Sequence, residues 1–212
     1  MWVQEMRRAN RTQNLPDCHY KVHISFNCLL SAFVRVMTTK DKKERKRLQL
    51  SLHEVVSFLV VPPKCYHTQL ENHFEWITDT KQPCNTNCSV CLGESSQFTG
   101  IVRRSHITSV LCSTLQMHNS ASTPDSLKAA ITKRKKDIFV DNTTSAGPIH
   151  ALLLQLFANR IIKFNIKDNN VIGTDKLSLK HITIQLVYGK DAEGFCKPVY
   201  EIDSAWNGIK IE

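Results

Sequence analysis

The amino-acid sequence predicts an α+β fold that is organised around a cluster of cysteines. Apolar residues recur at helical spacing in several stretches before residue 158, and apolar residues that alternate with polar ones follow between residues 161 and 188. Four of the eight cysteines lie between residues 65 and 91. With 212 residues, 42% of them hydrophobic, the chain is long enough to bury a core and to hold one or two domains.

The cysteine cluster has a spacing that is typical of a metal site. Cys65 is followed by eighteen residues, Cys84, three residues, Cys88, two residues and Cys91. Thiolates at this spacing can all reach one tetrahedral Zn²⁺, and four sulfur ligands leave no open coordination position. The predicted zinc site is therefore structural rather than catalytic.

Two alternatives to four sulfur ligands stay open at this point. In the first alternative, the cysteines are ordinary buried residues or form disulfides. Disulfides need an oxidising compartment, and residues 1–8 lack the apolar core of a signal peptide. In the second alternative, His67 or His73 replaces one cysteine sulfur as a metal ligand. Both histidines fall on a predicted helix and are expected at its surface. The other four cysteines are scattered and are predicted to be small buried apolar residues: Cys18, Cys28, Cys112 and Cys196.

Charge is distributed unevenly along the chain. The net charge of +9 divides into +7 for residues 1–50, −3 for 51–100, +4 for 101–150 and +1 for 151–212. Basic segments on both sides of an acidic metal segment indicate a polyanionic partner such as nucleic acid. The densest run, residues 40–47, indicates nuclear import, phosphate contact or simply a solvated helix start. No run approaches 18 apolar residues, so no membrane span is expected.

The first half of the chain is predicted to be mainly helical. A strand is expected at residues 22–26 and a short helix at 28–37. The charge run leads into an amphipathic helix that Pro62 and Pro63 end. Its inward residues are predicted to be Leu48, Leu52, Val55, Val56 and Leu59. A second apolar stripe follows Cys65 and comprises Tyr66, Leu70, Phe74 and Ile77.

The second half is predicted to contain three helices and a β-hairpin. Thr123 and Pro124 form an N-cap followed by proline at the first helical position, and Gly147 and Pro148 open a strong helix. The helix before them has an apolar face of Ile107, Val110, Leu111 and Leu115. Strands are expected at 161–166 and 177–188. This order is the outline of a winged helix, and any small α+β domain is the alternative.

Several of these features together resemble the C-terminal part of a RecQ-family DNA helicase. In that family a cysteine opens a helix with a Leu-Leu-x-x-Phe-like element, and three further cysteines complete a zinc site. Here Cys65 precedes Leu70-Glu-Asn-His-Phe74, and the last two cysteines form Cys88-Ser-Val-Cys91. Residues 4–11, Gln-Glu-Met-Arg-Arg-Ala-Asn-Arg, resemble the last helicase motif of the family, Gln-Glu-x-Gly-Arg-Ala-Gly-Arg-Asp.

The resemblance implies three segments. Residues 1–39 correspond to the remnant of a second RecA-like helicase lobe. Residues 40–98 correspond to a helical zinc-binding subdomain with four cysteine ligands, and residues 99–212 to a winged-helix DNA-binding domain. The implied function is that of a 3′→5′ DNA-unwinding ATPase in replication, repair or recombination, located in the nucleus.

The resemblance also assigns residues to the nucleotide. Gln4 matches the polar residue that heads the motif, and Arg8 and Arg11 match the two arginines that reach the γ-phosphate in the family, where a guanidinium stabilises charge on the transferring phosphoryl group. Arg7 and Asn10 stand in place of glycines, which permit backbone conformations that other residues adopt at a cost. In addition, Thr12 replaces the aspartate of the motif.

Two other helicase motifs are absent from the sequence. It contains neither a Gly-x-x-x-x-Gly-Lys-Ser/Thr loop nor an Asp-Glu-x-His stretch, which bind phosphates and Mg²⁺. ATP and Mg²⁺ are therefore expected only in the context of a complete helicase. The chain is expected to be a fragment of a longer product or a decayed copy. Two alternatives stay open: a stand-alone DNA-binding module without ATPase activity, and a zinc-stabilised interaction protein that binds no DNA.

DNA is the expected partner, in duplex, forked or single-strand-junction form. Basic residues at helix ends and adjoining loops commonly contact phosphates without reading sequence. Six such residues follow the second and third helices of the predicted winged helix: Lys133, Arg134, Lys135, Lys136, Arg160 and Lys163.

Overall fold

Seven α-helices and four short β-strands make up the part of the chain that the computed structural model describes. These residues are 22, 24–61, 65–73, 88, 90–91, 101–116, 122–140, 146–190, 196–206, 209 and 211–212. The mixture of helices and small antiparallel sheets confirms the predicted α+β class. Within these residues, no helix combines the length and apolar character needed to cross a membrane.

The first helix, α1 (Phe26–Met37), begins where the sequence predicts a strand. Ser25 is its N-cap, and the Ser25 hydroxyl accepts a hydrogen bond from the backbone N–H of Cys28 at 3.2 Å. Phe26 is the first helical residue and is buried together with residues one and two turns further on. The strand predicted at 22–26 is therefore wrong at its described positions, because a serine cap and helical apolar spacing override the short alternation. The helix predicted at 28–37 is confirmed and starts two residues earlier.

The second helix, α2 (Lys42–Val60), confirms the helix predicted after the charge run. The Asp41 carboxylate caps it by accepting from the Glu44 N–H. Val56 and Val60 are buried and Leu52 packs against the core, so the inward stripe follows a spacing of four residues. Val55 was predicted to face inward and is 55% exposed. Consecutive helical positions differ by about 100°, so burial of Val56 turns Val55 away from the core.

The core is centred on α7 (Gly147–Ala158), which is buried over almost its whole length. Both α1 and α2 pack against α7, and so does α5 (Pro124–Lys133). One continuous hydrophobic cluster contains residues from 26–60 and from 102–209. Its members therefore lie on both sides of the segment boundaries expected at 39/40 and 98/99.

The helices between residues 104 and 138 largely follow the sequence. α4 (Arg104–Leu111) buries Ile107, Val110 and Leu111, as predicted, and continues into a π-helical turn (Cys112–Gln116). The Thr123 hydroxyl caps α5 by accepting from the Ser126 N–H at 3.2 Å, which confirms the predicted start. The short helix α6 (Lys135–Ile138) follows α5 directly and was not predicted.

The strands form two separate antiparallel pairs. β1 (Ile162–Ile166) pairs with β2 (Ile182–Leu186), with Ile162 opposite Leu186. The predicted second strand, 177–188, is thus too long, because a 3-10 turn (Leu179–His181) precedes β2. Tyr188 belongs instead to β3 (Tyr188–Lys190), which pairs with β4 (Cys196–Pro198). Among the described residues, four α-helices rather than the predicted three lie between residue 104 and β1.

Candidate metal centre and basic surfaces

Three of the four predicted metal ligands come together in the structure. The sulfur atoms of Cys65, Cys88 and Cys91 all lie within 4.8 Å of one another, and the Sγ atoms of Cys65 and Cys88 are 3.9 Å apart. Cys65 is buried, with 4% of its surface exposed, and the other two are half-buried. The three residues form a group that can hold a metal ion.

The distances between these sulfur atoms are too long for a disulfide and suit ligands of one metal ion. A disulfide bond holds its two sulfurs about 2.05 Å apart. Sulfurs that share a tetrahedral ion at about 2.3 Å stand about 3.8 Å from each other, because that is the edge of the tetrahedron. The observed separation of 3.9 Å between Cys65 and Cys88 matches this edge.

Cys65 is positioned by the helix that follows it, α3 (Tyr66–His73). Its carbonyl accepts a hydrogen bond from the Gln69 N–H at 3.1 Å, so the cysteine occupies the start of the helix. The positive end of the helix dipole, which lies there, favours a thiolate. In the sequence, Pro62 and Pro63 lie between α2 and α3, and proline is strongly disfavoured in the interior of a helix.

Tyr66 connects α3 to the end of α2, whereas the sequence predicts only apolar packing for it. The Tyr66 hydroxyl donates to the Leu59 carbonyl at 3.3 Å, and its ring centroid lies 5.1 Å from that of Phe58. Burial raises the pKa of the Tyr66 phenol, and the negative charge of a Cys88 thiolate raises it further. Tyr66 thus connects the cysteine cluster to the end of α2. The signal in the sequence was an aromatic residue on each side of the Pro-Pro pair.

The fourth predicted ligand, Cys84, lies outside the described residues. Among the residues that the structure does describe, the group of close ligand atoms contains the three cysteines and does not include His73. His73 is exposed at the end of α3. The side chain of His67 also falls outside the described part of the chain.

The basic residues predicted after α5 differ in what they contact. Lys133 and Lys136 are exposed to solvent. Arg134, between α5 and α6, donates to the Ser109 hydroxyl at 3.1 Å, and its Nε lies 3.6 Å from the Asp137 carboxylate. Arg134 therefore joins α5 and α6 to α4. Lys135, the remaining residue of this predicted group, is half-buried.

The other two predicted DNA-binding residues lie at the end of α7 and on β1. Arg160 and Lys163 are both exposed. Arg160 adopts a left-handed backbone conformation, with φ of 56°, where the chain leaves α7. The positive charge of Arg160 also acts on His53, which lies on α2. Burial lowers the pKa of His53, and the charge of Arg160 lowers it further.

The predicted nucleotide-contacting residues, Gln4, Arg8 and Arg11, lie outside the described residues, as does the rest of the helicase-like motif. The role of these three residues stays a prediction.

Comparison with known proteins yields no relative. A scan against protein-family models, a search of curated proteins and a search of solved structures each gave no significant match.

Proposed function

We propose that the chain is the zinc-binding and winged-helix region of a RecQ-like 3′→5′ DNA helicase, and that it binds DNA next to the motor of that enzyme. The observation that carries the proposal is the cluster of Cys65, Cys88 and Cys91, whose sulfur atoms lie within 4.8 Å of one another. The resemblance in sequence contributes the helicase context.

Zn²⁺ is the metal proposed for this cluster. Thiolate ligands select soft or borderline ions, and a tetrahedral all-sulfur set is typical of structural zinc. Cys65, Cys88 and Cys91 would supply three ligands, and Cys84, four residues before Cys88, would supply the fourth. An ion held in this way has no open position for substrate, so it would hold the α3 helix and the 84–91 segment together.

DNA binding is the proposed activity of the region beyond the metal. Lys133, Lys136, Arg160 and Lys163 are exposed, as phosphate-contacting side chains must be. Arg134 already bonds to the Ser109 hydroxyl, so we assign it a positioning role in the group. The four exposed residues are proposed to contact the DNA backbone without reading its sequence, with Lys135 beside them.

ATP hydrolysis is proposed only for a longer protein that contains this chain. Gln4, Arg8 and Arg11 would then complete a nucleotide site whose phosphate-binding loop and Mg²⁺ ligands come from elsewhere. The second candidate function is a stand-alone zinc-stabilised DNA-binding module, which would need only the cysteine cluster and the exposed basic residues. The gene sequence upstream of Met1 separates the two, since only a helicase requires a phosphate-binding loop and Asp-Glu-x-His there.

The DNA part is tested by fluorescence anisotropy on a forked duplex at several salt concentrations. Several phosphate contacts predict that log Kd rises linearly with log salt, with a slope of about 0.9 per phosphate. The double variants Lys133→Gln/Lys136→Gln and Arg160→Gln/Lys163→Gln should each reduce that slope by about 2. The matched control is Lys190→Gln/Lys197→Gln, which removes two exposed lysines from the β3–β4 pair. Negligible binding at low salt would refute the DNA-binding proposal.

A further inference from the structure

A second basic surface forms where two distant parts of the chain meet. The corner between α1 and α2, residues 38–47, lies against the β1–β2 connection, residues 167–181. The Gly173 N–H donates to the Met37 carbonyl at 2.9 Å, which fixes the connection to the end of α1. A methyl group placed on Gly173 would lie 3.5 Å from the Cα of Lys40. The two segments are therefore in direct contact, although about 130 positions separate them.

Arg45 holds the corner in shape and is not itself available to a ligand. Its Nη1 donates to the Thr39 carbonyl at 2.7 Å and lies 3.7 Å from the position of a Gly173 methyl. Arg47 is likewise engaged, since it forms a bidentate pair with Glu44 at 2.6 and 2.7 Å. Arg47 is exposed but paired with Glu44, so the lysines are the exposed basic residues of this corner that form no ion pair with the described residues.

Seven lysines of the two segments are exposed. Both segments are fully described, and no carboxylate oxygen of the described residues lies within 4.0 Å of any of these lysine nitrogens. Residues 38–47 contain six basic and two acidic side chains, and residues 167–181 contain three basic and two acidic ones. The exposed lysines are Lys40, Lys42, Lys43, Lys46, Lys167, Lys176 and Lys180.

We propose that this lysine surface is a second binding area for the phosphate backbone of duplex DNA, separate from the residues proposed after α5 and α7. The inference rests on the proposed DNA-binding function and adds a second contact area to it. Neutralising several phosphates with unpaired lysines releases counterions, and this supplies most of sequence-independent affinity. From the sequence alone, the charge run at residues 40–47 is also consistent with the solvated start of a helix. Its contact with the β1–β2 connection brings two net-basic segments next to each other.

The spacing of the lysines suits a regular polyanion. Lys42 and Lys46 are one turn apart on α2, so their Cα atoms are about 6 Å apart along the helix axis. Phosphates of one DNA strand advance about 3.4 Å per nucleotide along the duplex axis, so the two lysines can reach phosphates about two steps apart. A membrane surface fits less well, because membrane binding strengthens with the apolar area inserted as well as with charge. Within these two segments Leu179 is the one large apolar side chain that is substantially exposed, at 49%.

The test uses two double variants, one from each segment, and their combination. Lys43→Gln/Lys46→Gln changes the α2 side and Lys176→Gln/Lys180→Gln changes the β1–β2 connection. The control, Lys190→Gln/Lys197→Gln, removes the same charge from the β3–β4 pair. Each test pair should raise the Kd for a 20-base-pair duplex about three- to tenfold near 0.1 M salt and lower the salt slope by about 1.8. The effects of the two pairs should add in log Kd, and the control should stay within about twofold.

Each outcome decides a separate point. If the wild-type chain binds duplex DNA and the two test pairs change Kd no more than the control, the second surface is refuted while the proposed function stands. If the test pairs weaken binding and the variants after α5 and α7 do not, the lysine surface stands and the proposed primary contacts fail. If the lysine surface binds vesicles containing anionic lipid but not DNA, the choice of DNA as partner is overturned. Thermal melting of the two test pairs and of their combination should match the wild type, because Lys43, Lys46, Lys176 and Lys180 form no ion pair with the described residues.

Discussion

The sulfur atoms of Cys65 and Cys88 lie 3.9 Å apart, although twenty-three positions separate the two residues in the chain. Bringing two thiolates this close has an electrostatic cost unless a cation lies between them. A structural zinc ion can contribute about 10–16 kcal/mol to folding, which is comparable with the whole stability of a typical domain, about 5–15 kcal/mol. The cysteine cluster is therefore where stability should depend most strongly on one small ligand.

Replacing Cys65 with serine should abolish stoichiometric metal binding. The wild-type protein is expected to contain one Zn²⁺ per chain by inductively coupled plasma mass spectrometry, and Cys65→Ser should contain less than about a tenth of that. Because the lost ion stabilises α3 and the segment that contains Cys88 and Cys91, the melting temperature should fall by more than about 10 °C.

The matched control for this variant is Cys28→Ser. Cys28 is exposed and its Sγ accepts a hydrogen bond from Ser25, far from the cluster in sequence. This variant should keep its metal and melt within a few degrees of the wild type. A purified wild-type chain that is folded and free of metal would contradict both the zinc assignment and the prediction.

Replacing Thr123 with alanine should destabilise the protein by about 1 kcal/mol, because the first turn of α5 loses a side-chain cap. The Thr123 hydroxyl accepts from the Ser126 N–H at 3.2 Å. Urea unfolding followed by circular dichroism measures the change. Thr132→Ala is the control in the same helix, since the Thr132 hydroxyl donates only to the Lys128 carbonyl one turn earlier. Equal losses in the two variants would show that the cap contributes nothing specific.

The parts of the fold that the sequence predicts well are those governed by local chemistry. Thr123 followed by Pro124 is a cap and a first helical residue, and both roles depend only on neighbouring backbone groups. The helix that begins at Gly147 is predicted correctly because most of its residues are apolar, so any packing arrangement buries them. The spacing of Cys65, Cys88 and Cys91 likewise limits which sulfur atoms can meet.

The parts that the sequence does not predict are set by distant contacts. Ser25 is compatible with a strand, a loop or a helix cap, and the packing of α1 against α7 favours the cap. The exposure of Val55 depends on which side of α2 meets that same helix. The contact between Gly173 and Met37 joins segments about 130 positions apart, and no local pattern encodes it.

His53 should make stability depend on pH. Burial, and then the charge of Arg160, lower the pKa of His53 below its usual value near 6.5. The unfolded chain therefore takes up a proton at a higher pH than the folded protein does. The stabilising contribution of neutral His53 is fully present above about pH 6.5 and is lost as pH falls from there through the lowered folded-state pKa.

The measurement is the free energy of unfolding at pH 7.5 and pH 5 for the wild type and for His53→Gln, both loaded with metal. The difference between the two pH values should be smaller in the variant. Burial also lowers the pKa of His150, so a residual slope should remain and should shrink further in the double variant His53→Gln/His150→Gln. An unchanged slope in both variants would contradict the prediction.

Replacing Gly173 with alanine should destabilise the protein by about 1 kcal/mol, mainly through the backbone. Gly173 has φ of +78°, a conformation that alanine adopts only with strain. The added methyl group would meet its nearest neighbour, the Cα of Lys40, at an ordinary contact distance of 3.5 Å. Gly147→Ala is the control, because Gly147 is exposed at the first position of α7, where alanine is neutral or favourable.

Since Gly173 also fixes the β1–β2 connection to the α1–α2 corner, Gly173→Ala should weaken DNA binding through the lysine surface, and Gly147→Ala should not. A variant that loses stability but keeps the wild-type salt slope would show that the two segments bind DNA without being held together.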